Sequence, residues 1–185
     1  MFVLDGADAA ADAVAFAGAG IGPFAPFSFE RSGRSANGTE THVAFTLAFA
    51  MDERIPDASF FVCQQHFPAV FWSPAMQQHT NGAINVTGAD LAVDHPTEHA
   101  GFLGAFTRVA PDEANRYKLA KDGELRVVPA AAPPGFTGFE VTVPDLAAVA
   151  ERLRGAEIGL EHAAGRIMIF PESAHGTTIA FRQAS

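Results

Sequence analysis

Three stretches of this 185-residue chain lead into a helix in the same way, and that repetition constrains the fold more than any local motif. They are Asp5-Gly6-Ala7-Asp8-Ala9-Ala10, Val93-Asp94-His95-Pro96-Thr97-Glu98 and Val143-Pro144-Asp145-Leu146-Ala147-Ala148. A short apolar strand precedes each, and two or three strand candidates follow. In the first unit, Phe2-Val3-Leu4 leads to an Ala-rich helix over 7–18. Asp8 and Asp12 near its start suit the helix dipole, and Gly18, Gly20 and Gly22-Pro23 stop it. Strands are predicted over 27–31, 42–49 and 59–65, with a turn at 32–39. The second unit reads as strand 83–93, a helix over 97–107, and strands 117–120 and 124–128 around Lys121-Asp122-Gly123. After an Ala/Pro linker at 129–135, the third reads as strand 139–143, helix 146–154 and strands 159–162, 166–170 and 177–182. The expected class is α+β, built from repeated βαβββ modules over 1–80, 81–130 and 131–185. The last two are expected to pair as one domain over 81–185.

Within the first unit the side chains alternate cleanly. Val43, Phe45, Leu47 and Phe49 oppose His42, Ala44, Thr46 and Ala48, while Phe27 and Phe29 oppose Ser28 and Glu30. The large apolar face is expected to receive the helix. The face carrying Ser28, Glu30, His42, Ala44 and Thr46 is small and mixed-polar, which fits a ligand cavity better than a solvated surface rich in Lys, Glu and Arg.

The stretch Phe60 to Gly82, which opens as an apolar run, holds the only Cys and only Trp of the chain, with His66 and His79. Pro68 and Pro74 interrupt it, Asn81-Gly82 ends it in a turn, and Phe67, Phe71 and Trp72 stand beside Gln and His. That mixture suits a loop closing over a pocket, or one that plugs its aromatics into the core. Cys63, in an apolar strand, reads as a buried and inert thiol.

Composition narrows the partners. Twelve Lys and Arg against 21 Asp and Glu give a formal charge of −9, with no basic cluster, which argues against nucleic acid or an anionic membrane. A single Cys fits a reducing, cytoplasmic compartment. No apolar run is long enough to span a bilayer. Gly-x-Ser-x-Gly, phosphate-loop and dinucleotide fingerprints are absent.

The module pattern, together with Cys63-Gln64-Gln65-His66-Phe67-Pro68, Phe71-Trp72, Pro74, Gln77, His79 and Asn81-Gly82-Ala83, resembles the vicinal-oxygen-chelate superfamily, in its glyoxalase-like domain branch. That superfamily includes glyoxalases, extradiol dioxygenases and bleomycin-resistance proteins. The resemblance implies curved mixed and antiparallel sheets forming glyoxalase-like half-barrels, two modules to a cup. Metal-using members take a His from a first strand and a Glu from a last strand. Here Gly88 and Gly138 fall at the His positions, and the last strands offer Gln64 or Gln65 and Arg182 or Ala180 instead of Glu. A different site for one divalent ion (Zn, Fe, Ni or Mn) could be drawn from His42, His66 and His79, with Glu30 nearby.

Two modules make a cup and this chain has three. The first is therefore expected to pair with its counterpart in a homodimer, unless an upstream module completes it. Two functions remain open. In one, the cup takes a small oxygenated molecule for lyase, isomerase or dioxygenase chemistry, with His66, His79 and Glu30 as catalytic groups. In the other, it is a metal-free binding or sequestering protein of the bleomycin-resistance type. Gln65, Trp72, Asn81 and Phe67 are the substrate-binding candidates in either case. Strand 59–65 could present either Gln64 or Gln65 to the cup.

Overall fold

The computed structural model describes residues 1–34, 38–72, 74, 77–130 and 133–184. The chain divides into two compact units, one of residues 1–76 and 98–109, the other of residues 77–97 and 110–185.

The first unit is a βαβββ module. Strand β1 (Phe2–Gly6) leads into α1 (Ala9–Gly18), followed by β2 (Phe27–Arg34), β3 (Glu40–Ala50) and β4 (Phe60–Gln65). The sheet order is β1-β4-β3-β2, with β1 parallel to β4 and the other pairs antiparallel. β2 runs three residues further than predicted, and residues 35–37 of that predicted turn lie outside the described residues. Pro68, expected to break regular structure, instead occupies the first turn of a short helix, α2 (Pro68–Phe71), where its missing N–H costs nothing.

The second unit contains a seven-stranded sheet of order β6-β7-β5-β8-β11-β10-β9. Its strands are β5 (Asn85–Val93), β6 (Arg116–Lys118), β7 (Glu124–Pro129), β8 (Gly135–Val143), β9 (Glu161–Ala163), β10 (Arg166–Ile169) and β11 (Thr178–Gln183). The third module, β8-β11-β10-β9, repeats the order of the first. The second contributes β5-β7-β6, and the two join antiparallel through their first strands, β5 and β8. β8 begins at Gly135, so the predicted linker already carries the strand. Val141, Val143, Ile167, Ile169 and Phe181 pack on Val149 and Ala150 of α4 (Leu146–Gly155).

The helix expected in the second module belongs elsewhere. A 3₁₀ turn at Pro96–His99 continues into α3 (Ala100–Thr107), which packs within the first unit. The cause is the stripe of Phe102, Leu103 and Phe106, all buried. Phe102 meets Phe60 edge-on at 5.0 Å, and Phe106 lies 5.6 Å from both Phe60 and Phe16. Such ring pairs add to what burial itself contributes. At its end, Arg108 adopts a left-handed conformation, and its guanidinium meets Asp12 Oδ1 of α1 at 2.5 Å.

Helices α1 and α4 start by one shared device. Asp8 accepts from Ala11 N and Gln64 of β4 from Ala9 N; Asp145 accepts from Ala148 N and Gln183 of β11 from Leu146 N. Each pair satisfies two N–H groups that a helix start leaves free. Gln64 and Gln183 are therefore equivalent residues of two modules, and Gln64 belongs to the helix side of β4. No described helix is long and apolar enough to cross a membrane.

Candidate functional site

Cross-strand partners project from the same side of a sheet, so register assigns each residue of the first unit to a face. Phe60, Val62 and Gln64 share the face of Ala50, Ala48 and Thr46, and it is this face that α1 and α3 cover. Phe61, Cys63 and Gln65 share the opposite face with Phe49, Leu47 and Phe45, and through them with Phe27, Phe29 and Val43. The expectation that the large apolar face receives the helix is thus reversed. An Ala-rich helix packs closely on small partners, and Ala48 and Ala50 allow that approach, while Phe60, Phe102 and Phe106 supply the bulk of the core.

The large side chains are left on an open aromatic face. Phe27 is 55% exposed, Phe29 42% and Trp72 54%. Phe29 stacks on Phe45 at 5.1 Å and Phe49 lies 5.3 Å from Phe61. Trp72 Nε1 donates to Gln65 Oε1 at 2.6 Å, so the loop after β4 reaches the face that carries Gln65. Burial, with the Asp5 carboxylate nearby, pushes the half-buried Cys63 thiol above its usual range, which favours its protonated form.

The polar candidates gather on the other face, beyond the reach of α1. Thr46 Oγ1 bonds both Ser28 Oγ at 3.0 Å and His66 Nε2 at 2.8 Å. His42 Nδ1 bonds Ser32 Oγ at 3.3 Å, its Nε2 stands 3.5 Å from Glu30 Oε2, and Phe67 meets its ring edge-on at 5.0 Å. The sheet therefore brings Glu30, His42, His66 and Phe67 together, on the opposite side from Gln65. It is an exposed polar ladder: Glu30 keeps three quarters of its side chain in solvent. His79 and Asn81 belong to the second unit, where Asn81 Oδ1 accepts from Ala83 N and His79 O from Gly82 N, an ordinary turn. Among the described residues no three His, Cys, Asp or Glu are grouped to hold a metal ion.

Sequence reasoning missed a second cluster, in the second unit. β5 and β8 each carry Gly-x-acid, Gly88-Ala89-Asp90 and Gly138-Phe139-Glu140, and their antiparallel register sets Gly88 opposite Glu140 and Gly138 opposite Asp90. Arg126 reaches across from β7 to Asp90 Oδ1 at 2.5 Å, Glu124 at 3.3 Å and Glu140 at 3.4 Å. Arg166 Nη1 lies 3.0 Å from Glu140 Oε2, and Thr87 donates to Oε1 at 3.1 Å. Arg182 Nε is 3.0 Å from Oε1 but outside hydrogen-bonding geometry, and among the described residues it and Arg126 Nη2 are buried donors without a hydrogen-bond acceptor. Burial works against the Arg126 charge, but Asp90, Glu140 and Glu124 outweigh it and hold the guanidinium charged. The repeated Gly-x-acid was the available signal.

This cluster also decides whether the metal centre implied by the resemblance fits. A Cβ at Gly88 would come 2.6 Å from Arg126 Nη1, and one at Gly138 would come 2.8 Å from Asp90 Oδ2 and 3.1 Å from the Thr178 carbonyl. The first-strand positions have no room for an imidazole, and guanidinium groups stand where ligands would. The usual metal site does not fit this chain.

The repeated β1-β4-β3-β2 module order, with first strands joined antiparallel, decides the architecture. The fold is glyoxalase-like. Across solved structures, a hypothetical protein from Staphylococcus aureus aligns over 98% of this chain with a TM-score of 0.61 at 11% identity. This glyoxalase-fold chain covers 65% of that protein's length. A methylmalonyl-CoA epimerase from Mycobacterium tuberculosis aligns over 58% of this chain and 93% of its own, with a TM-score of 0.47 and 13% identity. No protein-family profile matches the chain, and no curated protein matches it by sequence.

Proposed function

We propose that this glyoxalase-fold protein is a small-molecule binding protein that holds a flat, oxygenated ligand against the aromatic face of its first unit without a metal. The observation that carries the reading is the open row of Phe27, Phe29, Phe45, Phe49 and Phe61, with the Gln65–Trp72 pair at its edge. Aromatic faces stack on flat molecules, and a Gln amide beside them fixes a carbonyl or hydroxyl. Exposed apolar patches of this kind mark binding surfaces.

A second copy of the chain completes the cup. β1 is the end strand of its four-stranded sheet, whereas its counterparts β5 and β8 join each other within one sheet. The edge of a sheet is a ready template for strand addition. Antiparallel pairing of β1 with β1 of a second copy would repeat the β5–β8 junction.

The competing reading is acid–base catalysis by His66 and Glu30, with His79 as a further group. Titrating small aromatic carbonyl compounds against Trp72 fluorescence separates the two. Binding is expected to change the emission, weaken at least tenfold in Phe45→Ala, and survive His66→Ala and Glu30→Gln. Absence of binding, or turnover abolished in His66→Ala, would overturn the proposal. Sedimentation velocity checks the second copy: a dimer is expected, dissociating in Val3→Glu.

A further inference from the structure

Charge in the second unit's cluster is unevenly shared. Arg126 meets three carboxylates, Asp90, Glu124 and Glu140. Arg166 and Arg182 stand directly opposite each other on β10 and β11, and both turn to Glu140, the one ion-pair partner that either has among the described residues. Like charges in directly opposed positions repel, and a single carboxylate cannot neutralise two guanidinium groups. That end of the cluster therefore keeps a positive charge.

The donors are also unused. A guanidinium carries five N–H donors in a planar fork. Arg166 places only Nη1 on Glu140, and Arg182 has its Nε close to that carboxylate without a hydrogen bond. Glu140 is buried, whereas Arg166 and Arg182 are 30% and 38% exposed, so the forks extend from a buried anchor to solvent. Ala180, the neighbour of Glu140 on β11, adds only a methyl group to this face.

We infer that Arg166 and Arg182 form a binding site for a small carboxylate anion, with Glu140 holding both guanidinium groups in place. Planar forks match a carboxylate bidentately, which a Lys ammonium does not. The ligand class is a small carboxylic acid in its ionised form. This site lies wholly in the second unit, so the inference stands or falls independently of the aromatic face of the first.

Isothermal titration of the full chain with malonate tests it, at low ionic strength and with chloride as the control anion. One saturable site per chain is expected, weakened at least tenfold in Arg166→Gln and in Arg182→Gln. Arg182→Lys keeps the charge, loses the fork, and is also expected to bind several-fold more weakly. Arg116→Gln removes a cation paired to Asp112 on the same face and should leave binding unchanged. Circular dichroism establishes that each variant is folded. No saturable malonate binding, binding by the Arg166→Gln and Arg182→Gln variants as tight as the parent's, or an equal loss in Arg116→Gln would overturn the inference.

Discussion

The guanidinium of Arg126 lies over Gly88, with Nη1 2.6 Å from the point where a Cβ would sit. Arg126 is 11% exposed and held by Asp90, Glu124 and Glu140, so it cannot swing aside without breaking those contacts. Gly88→Ala is expected to destabilise the protein by about 1–3 kcal/mol in urea unfolding, the usual cost of forcing atoms into a packed site. Gly155→Ala is the control. It ends α4 with nothing within 4 Å, and should change stability by less than about 0.5 kcal/mol or improve it. Equal effects would show that the Arg126 contact does not constrain the backbone.

Asp52 accepts from Arg54 Nε at 2.8 Å and Nη2 at 2.6 Å, and meets His99 Nδ1 at 2.8 Å, tying the loop after β3 to the start of α3. Burial alone would raise its pKa, but the hydrogen bonds from Arg54 and His99 prevail and hold it near 2 against an ordinary 3.8. A lowered folded-state pKa means stability that is complete above the unfolded value and lost as pH falls through the folded one. Asp52→Asn should therefore cost about 2 kcal/mol at pH 7. Its deficit relative to the parent should shrink between pH 4 and pH 2, as read by urea midpoints. A deficit independent of pH would place the effect in packing instead.

Phe106 touches Phe2, Phe16, Phe60 and Phe102, joining α3 to the sheet and to α1. Phe106→Ala is expected to cost about 3–5 kcal/mol. Phe29→Ala, on the open face, should cost under about 1 kcal/mol while weakening ligand binding. Thermal unfolding of the two variants together tests which face is the core and which is the binding surface.

The two last-strand glutamines should behave alike. Gln64→Ala and Gln183→Ala each remove an acceptor for the first helical N–H, of α1 and α4. Each is expected to lower stability by about 0.5–2 kcal/mol, as lost helix caps do. Hydrogen exchange at Ala9 and Leu146 would locate the loss, and protection that stayed unchanged would count against the shared device.

Much of the fold could be read from residues that act locally. Asp8 and Asp145 cap the helices they precede, and the apolar alternation of Phe27, Phe29, Phe45, Leu47 and Phe49 follows from the two-residue period of a strand. Those features depend on neighbours within a few residues, so the chain itself determines them. The placing of Glu30 and His42 on one face was also foreseeable, since strand pairing brings one face of β2 and β3 together.

Alternation says that two faces differ; it does not say which is covered. That was settled by where bulk could be accommodated. Ala48 and Ala50 admit α1, and Phe102 and Phe106 arrive from a helix some forty residues beyond β4 in sequence to finish the core. The same long-range choice put Gln65 and Trp72 on one side of the sheet and His66 on the other. It also set Gly88 against Glu140 and Gly138 against Asp90, a register that exists only once β5 and β8 are paired. The sequence alone determined the strand–helix order of the first and last units, the helix caps and the two kinds of strand face. Tertiary structure decided which face is open and where the charges converge, because burial and strand register depend on contacts between distant parts of the chain.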